Sequence, residues 1–113
     1  MDHWIEYAPA GGWAAFARSD AMTKALYALL PEDDWHNQWQ YLNFVEISEV
    51  WESLSGTSIV VAHININQFA DERIVRLATK GDAAAAIVGS LAAEFGLAGS
   101  ADAEPSATAD GGA

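Results

Sequence analysis

Apolar side chains recur along the chain with two periods, one typical of strands and one typical of helices, and together they predict five strands and three helices. Ile5 and Tyr7 alternate with polar or small neighbours. Residues 9–12 supply the proline and glycines of a turn, and residues 13–18 resume an extended character. The chain is therefore predicted to open with a β-hairpin.

A first helix is predicted over residues 20–30, with Asp20 as its cap and Pro31 as its stop. Residues 40–47 are rich in aromatic and β-branched types, which favours a strand. A helical face is the alternative for this segment, because apolar side chains also recur at positions 35, 39, 42 and 45.

The second half of the chain predicts a short helix, two strands and a long helix. Ser48 is a suitable N-cap for the short helix, which would end at Gly56. The apolar run 57–66 predicts a central strand, and residues 73–79 fit a strand better than a helix. Residues 82–95, with Asp82 as the expected cap, have the spacing of an amphipathic helix.

Two amphipathic helices and a largely antiparallel sheet make two layers around one core. The predicted fold is thus a single-domain α+β two-layer sandwich over residues 1–98, with the element order β-β-α-β-short α-β-β-α and both main helices on one face of the sheet. Residues 99–113 have no side chain larger than alanine that could pack in a core, and this composition predicts a disordered tail.

Composition narrows the possible functions. The 113 residues suffice for one hydrophobic core, and the absence of cysteine excludes disulfides, thiolate metal sites and a cysteine nucleophile. A net charge of −11 argues against direct binding to nucleic acid or anionic lipid, which depends on lysine and arginine. The chain carries none of the common cofactor or catalytic motifs, so no cofactor and no metal are expected.

Charge is distributed unevenly along the chain. Residues 25–72 contain no lysine or arginine and eight acids, and most of the aromatic residues lie in or before this stretch. Such a surface attracts a positively charged partner, and tryptophan often anchors interfaces. Trp35 and Trp39 are the tryptophans expected to be accessible, because their neighbours are polar. The candidate binding residues are Glu32, Asp33, Asp34, Trp35, Trp39, Glu46, Glu49 and Glu52.

The favoured hypothesis is a non-catalytic module of the inhibitor, immunity or adaptor type that occupies a basic, possibly nucleic-acid-binding, surface of a partner protein. Glu46, Glu49 and Glu52 would present a ladder of negative charge. Each carboxylate has the plainer interpretation of a solvated acidic side chain, and the acidity as a whole could serve only solubility or a high-salt cytoplasm.

Two other functions remain open. One is a small enzyme or ligand-binding domain with a pocket lined by tryptophan and tyrosine, in which His63 and a carboxylate are the polar groups. The other is a homo-oligomer in which exposed aromatic residues form the contact. The first residues resemble no secretory signal and no apolar stretch is long enough to span a bilayer, so a cytoplasmic location without membrane contact is expected.

Overall fold

In a computed structural model, residues 3–66 and 73–102 are described, with only the backbone for the last two. They contain six strands, two α-helices and one short 3-10 helix. The strands are β1 (Trp4–Pro9), β2 (Trp35–Asn43), β3 (Glu46–Ser53), β4 (Ile59–Asn65), β5 (Arg73–Lys80) and β6 (Leu97–Asp102). The helices are α1 (Ser19–Leu29) and α2 (Asp82–Phe95), and the 3-10 helix is Trp13–Ala15.

All six strands join one antiparallel sheet in the order β2-β3-β4-β5-β1-β6. Strands β5 and β6 both run antiparallel to β1, which lies between them, so β5, α2 and β6 form a split β-α-β unit. The two helices contact the β5, β1 and β6 region and one another. The predicted two-layer α+β sandwich with its largely antiparallel sheet is confirmed.

The core lies between the helices and the sheet. Strand alternation directs every second side chain of the central strands toward the helices, and most of these side chains are apolar. We call this face the helix-facing side and the other the open side of the sheet. The largest completely buried apolar side chains are Met22, Leu26, Ile64, Ile74, Leu77, Leu91, Val60 and Val88.

The predicted opening hairpin is wrong. The backbone N–H of Gly12 bonds to Pro9 O, and the chain then enters the 3-10 helix instead of a second strand. Strand β1 pairs with β5 and β6. Aromatic packing explains the difference, because Phe16 makes edge-to-face contacts with Trp13 and with Phe95 on α2.

The short helix predicted from Ser48 to Gly56 is also wrong, since most of this segment belongs to β3. Strand β2 begins at residue 35, five residues before the predicted strand, and a turn at residues 44–45 joins it to β3. Pairing with β2 on one side and β4 on the other gives β3 hydrogen bonds on both edges, which outweighs the local capping signal. Gly56, with φ of 79°, lies in the β3–β4 turn.

The N-caps of both helices also differ from the predicted residues, Asp20 and Asp82. Helix α1 has Arg18 at its N-cap and α2 has Gly81, and neither makes a side-chain cap hydrogen bond. For α2 the hydroxyl of Ser58, which precedes β4, accepts the N–H of Ala83 at 3.1 Å. Asp82 therefore lies in the first turn, where a negative charge favours the helix dipole.

The domain extends past residue 98. Strand β6 pairs with β1 over its whole length, from Leu97 opposite Pro9 to Asp102 opposite Trp4. Backbone pairing requires no large side chain. Position 99 in fact favours glycine, because a Cβ there would lie only 3.0 Å from the Tyr7 ring. The tail was thus predicted to begin too early, and its part from 103 to 113 lies outside the described residues.

Candidate functional site

A shallow, open cleft of about 680 Å³ lies between the C-terminal end of α1 and the β2–β3 hairpin. The hairpin extends the sheet beyond the strands that the helices contact most, so its helix-facing side is only partly covered. The cleft is lined by Tyr27, Leu30, Glu32, Asn37, Trp39, Tyr41, Ile47, Glu49, Trp51 and Ile66.

Strand alternation assembles most of this lining. In the β2–β3 register, Trp39 lies opposite Glu49 and Tyr41 lies opposite Ile47. Cross-strand partners share a face of the sheet, and residues two apart along a strand share it too. One face of the hairpin therefore gathers a carboxylate, exposed aromatic rings and an amide from Asn37.

Glu49 forms the floor of the cleft and is only 8% exposed. The Tyr27 hydroxyl donates to Glu49 Oε2 at 2.6 Å, and the Asn37 amide donates to Oε1 at 3.2 Å. Both donors are neutral, and no lysine, arginine or histidine within residues 3–66 and 73–102 forms an ion pair with Glu49. Its oxygens are thus solvated by the protein while its negative charge remains uncompensated.

Two aromatic rings form the exposed wall of the cleft. Trp39 is 56% exposed and Tyr41 is 65% exposed, and their ring centroids lie 5.3 Å apart in an edge-to-face arrangement. Trp51, which is buried, packs against Tyr27 with a centroid distance of 5.9 Å. Aromatic faces attract ammonium and guanidinium groups, so this wall and the carboxylate floor favour the same kind of ligand.

The acidic candidates separate into three places. Glu32, Asp33 and Asp34 lie exposed in the turn between α1 and β2, and Glu32 lines the cleft. Glu49 lies inside it. Glu46 and Glu52 do not line the cleft, because Glu52 is paired with His36 and Glu46 with Asn65 on the open side of the sheet. The predicted ladder of Glu46, Glu49 and Glu52 is therefore wrong.

Trp35 was expected to be accessible and is not, being 5% exposed in the core. It is the first residue of β2 and follows a turn in which the N–H groups of Asp34 and Trp35 both bond to Pro31 O. This turn directs the indole inward. Trp39, the other expected tryptophan, is exposed as predicted.

The basic residues lie elsewhere. Arg76 makes two hydrogen bonds to the Glu6 carboxylate, at 2.9 and 3.2 Å, and Lys24 pairs with Asp20 at 3.6 Å. The guanidinium of Arg18 lies over the Phe95 ring. In the described ranges, no lysine or arginine pairs with an acid between residues 32 and 52, so the acidity of this region is not neutralised by the chain's own cations.

His63 lies on β4, on the open side of the sheet, between Ser48 and Arg76 on the neighbouring strands. Burial and the positive charge of Arg76 lower the pKa of His63, and the negative charge of Glu46 opposes this shift. The cleft is on the other side of the sheet. The arrangement does not combine His63 with the aromatic pocket that the enzyme hypothesis requires.

Sequence reasoning missed Tyr27, Asn37 and Tyr41. An alternating pattern through residues 35–43 and 46–53 would have indicated that Asn37, Trp39 and Tyr41 share a face with Glu49. Tyr27 gave no such signal, because its role depends on how α1 lies across the hairpin.

Comparison of the chain with protein-family models, with curated proteins and with solved structures gave no match. In the described part of the chain, no three histidine or acidic side chains converge as a metal ion would require. The two described helices are too short to cross a bilayer.

Proposed function

We propose that this protein is a non-catalytic binding module that receives a basic side chain of a partner protein in the cleft between α1 and the β2–β3 hairpin. The observation that carries the proposal is the Glu49 carboxylate, which is buried and lies beside exposed aromatic rings. Its hydrogen-bond donors in the described part of the chain are both neutral.

An arginine or lysine side chain fits this arrangement chemically. Each carboxylate oxygen of Glu49 accepts one hydrogen bond, from Tyr27 or from Asn37, and has further acceptor capacity, so an incoming N–H group can bond to it. The aliphatic stem of the ligand would lie against Trp39 and Tyr41, and its charge would meet the ring faces.

Long-range electrostatics supports the same partner. The net charge of −11 and the exposed acids at residues 32–34 beside the cleft attract a basic surface and speed its encounter. An inhibitor, an immunity protein and an adaptor would all use this chemistry. A phosphate-like ladder is not part of the proposal, because Glu46, Glu49 and Glu52 do not share a face.

An NMR titration with acetyl-arginine amide and acetyl-lysine amide tests the cleft directly. We expect either probe to shift the indole N–H signal of Trp39, and Glu49→Gln to abolish that shift. Glu52→Gln is the matched control, since it removes one negative charge from the opposite side of the sheet. Equal shifts in both variants, or none in the wild-type protein, would overturn the site.

The protein partner is tested by capture at low ionic strength from the cells that produce the protein. A basic protein is expected to bind wild type and Glu52→Gln, to elute as salt rises, and to be lost with Glu49→Gln. Retention that is the same for both variants would contradict the proposal. The proposal places the protein in the cytoplasm, which cell fractionation tests.

A further inference from the structure

Among residues 3–66 and 73–102, strand β2 is an edge of the sheet and pairs with β3 alone. Its nine residues, Trp-His-Asn-Gln-Trp-Gln-Tyr-Leu-Asn, include no acid, no lysine or arginine and no proline. Edge strands usually carry charge or proline, which prevents their free backbone N–H and C=O groups from pairing with another chain. Strand β2 has neither charged side chains nor proline, and its regular pairing with β3 runs from Trp35 to Tyr41, where a register shift follows.

The opposite edge of the sheet is different. Strand β6 is shorter, with six residues, and consists mostly of alanine, glycine and serine with one aspartate. Strand β2 instead carries the exposed rings of Trp39 and Tyr41 and leads to a turn where Phe44 is 99% exposed. A shallow apolar depression lies beside Tyr41 and Phe44. Exposed apolar side chains on an unprotected edge are typical of an interface.

We propose that β2 pairs antiparallel with β2 of a second copy of this chain, giving a two-fold symmetric dimer with one continuous sheet. Antiparallel pairing of identical strands is self-complementary, as a two-fold interface requires. In a register centred on Trp39, this residue lies opposite Trp39 of the second copy and Gln38 lies opposite Gln40. Regular pairing covers residues 37–41, because β2 has a register shift between Tyr41 and Asn43.

Strand β2 is uncharged, so a second copy meets less electrostatic repulsion at this strand than at the acidic surfaces. Each copy has a net charge of −11, so contact through its acidic surfaces is repulsive. The register centred on Trp39 brings no acid opposite an acid, because residues 37–41 are all uncharged. Pairing of single edge strands buries less surface than an obligate dimer does, so assembly depends on protein concentration.

The dimer would also join the two clefts, which lie on the same side of the continuous sheet. The two Glu49 side chains would be separated by three strand spacings, about 14 Å. A partner carrying two basic side chains at that separation would bind both copies and gain avidity. The dimer itself does not rest on the function proposed above.

The test is to replace Gln38 and Gln40 with charged residues. These exposed side chains lie on the open side, away from the cleft lining. Light scattering and sedimentation should show the wild-type mass rising with concentration from 12.1 kDa toward twice that value. Gln38→Lys/Gln40→Lys and Gln38→Glu/Gln40→Glu should each remain monomeric, because each places like charges opposite one another. An equimolar mixture of the two should form a dimer.

Circular dichroism and thermal unfolding show whether each variant keeps the fold. Ala98→Lys/Ser100→Lys places the same charges on the other edge and should dimerise like wild type. A wild-type protein that stays monomeric at every concentration overturns the proposal. So does a dimer that persists in both charged variants, or a well-folded mixture that fails to assemble.

Discussion

Tyr27 on α1 donates a 2.6 Å hydrogen bond to Glu49 on β3, and this bond connects the helical layer to the outer hairpin. The cleft depends on it in two ways. The bond solvates a buried carboxylate, and it fixes the distance between the end of α1 and the strands that carry Trp39 and Tyr41.

Tyr27→Phe removes the hydroxyl and leaves Glu49 with the Asn37 amide as its remaining donor among the described residues. We expect the free energy of unfolding at pH 7 to fall by about 1–3 kcal/mol, as for other hydrogen bonds to charged groups. Urea unfolding measures the change. In a double-mutant cycle with Glu49→Gln, the two losses should sum to more than the loss in the double variant.

Tyr41→Phe is the control for this cycle, because it removes the same hydroxyl from an exposed tyrosine. Its effect should stay within about 0.5 kcal/mol. Additive losses in the Tyr27 and Glu49 cycle would show that the bond contributes nothing to the fold.

Gly81 connects β5 to α2 and requires glycine for two reasons. Its φ is +96°, and a Cβ there would lie 2.3 Å from the Thr57 carbonyl oxygen. Gly81→Ala should therefore destabilise the protein by about 3 kcal/mol or more in thermal or urea unfolding. Gly89→Ala inside α2 meets no atom within 4 Å and should stabilise it by about 0.5–1 kcal/mol. Equal effects at the two glycines would contradict this account.

Thr79 is completely buried, and among the described residues its hydroxyl has no hydrogen-bond partner. Thr79→Val replaces that hydroxyl with a methyl group of similar size, so we expect the free energy of unfolding to rise by about 1 kcal/mol. Thr79→Ser keeps the hydroxyl and loses a methyl group, and it should be destabilising. A loss of stability in the valine variant would reveal an unrecognised partner for the hydroxyl.

His63 predicts a pH dependence of stability. Its pKa is lowered in the folded protein by burial and by Arg76, so below about pH 6.5 the unfolded chain binds a proton that the folded chain resists. The free energy of unfolding should therefore decrease as pH falls from 7 through 6 toward the folded pKa. Glu46, on the same side of the sheet, moderates the effect.

Unfolding of His63→Gln over this pH range should show a smaller decrease than wild type. The same substitution at the exposed His36 controls for loss of an imidazole elsewhere. If the difference between wild type and His63→Gln is the same at pH 7 and at pH 5.5, the histidine does not contribute to the pH dependence.

The sequence predicted the fold class, α1, the central strand and α2 because these depend on strong local signals: long apolar periods, a proline stop and a glycine stop. It failed where tertiary pairing decided the structure. Residues 46–53 have a serine that could cap a helix, yet two neighbouring strands hold them extended. Residues 97–102 have only one apolar side chain larger than alanine, yet β1 offers them a complete backbone partner.

The sequence predicted several of the residues that form the site, but it did not predict which of its candidate residues lie together. Glu49, Trp39 and Glu32 were among the candidate residues, and they line one cleft. The helix predicted over residues 48–56 led to the expectation that Glu46, Glu49 and Glu52 share one surface. This segment is mostly strand, and the alternation of a strand places Glu49 on the opposite face from the other two. The contribution of Tyr27 to the cleft depends on how α1 packs against the sheet, and no local sequence pattern encodes that packing.

The unequal exposure of the five tryptophans gives the protein an optical reporter. Trp35 and Trp51 are buried, Trp4 and Trp13 are half-buried, and Trp39 alone is exposed, at the wall of the cleft. Water-soluble quenchers such as iodide or acrylamide should therefore extinguish the emission of Trp39 first, and its spectrum should lie at the longest wavelengths. Occupation of the cleft can be followed by fluorescence without any attached dye.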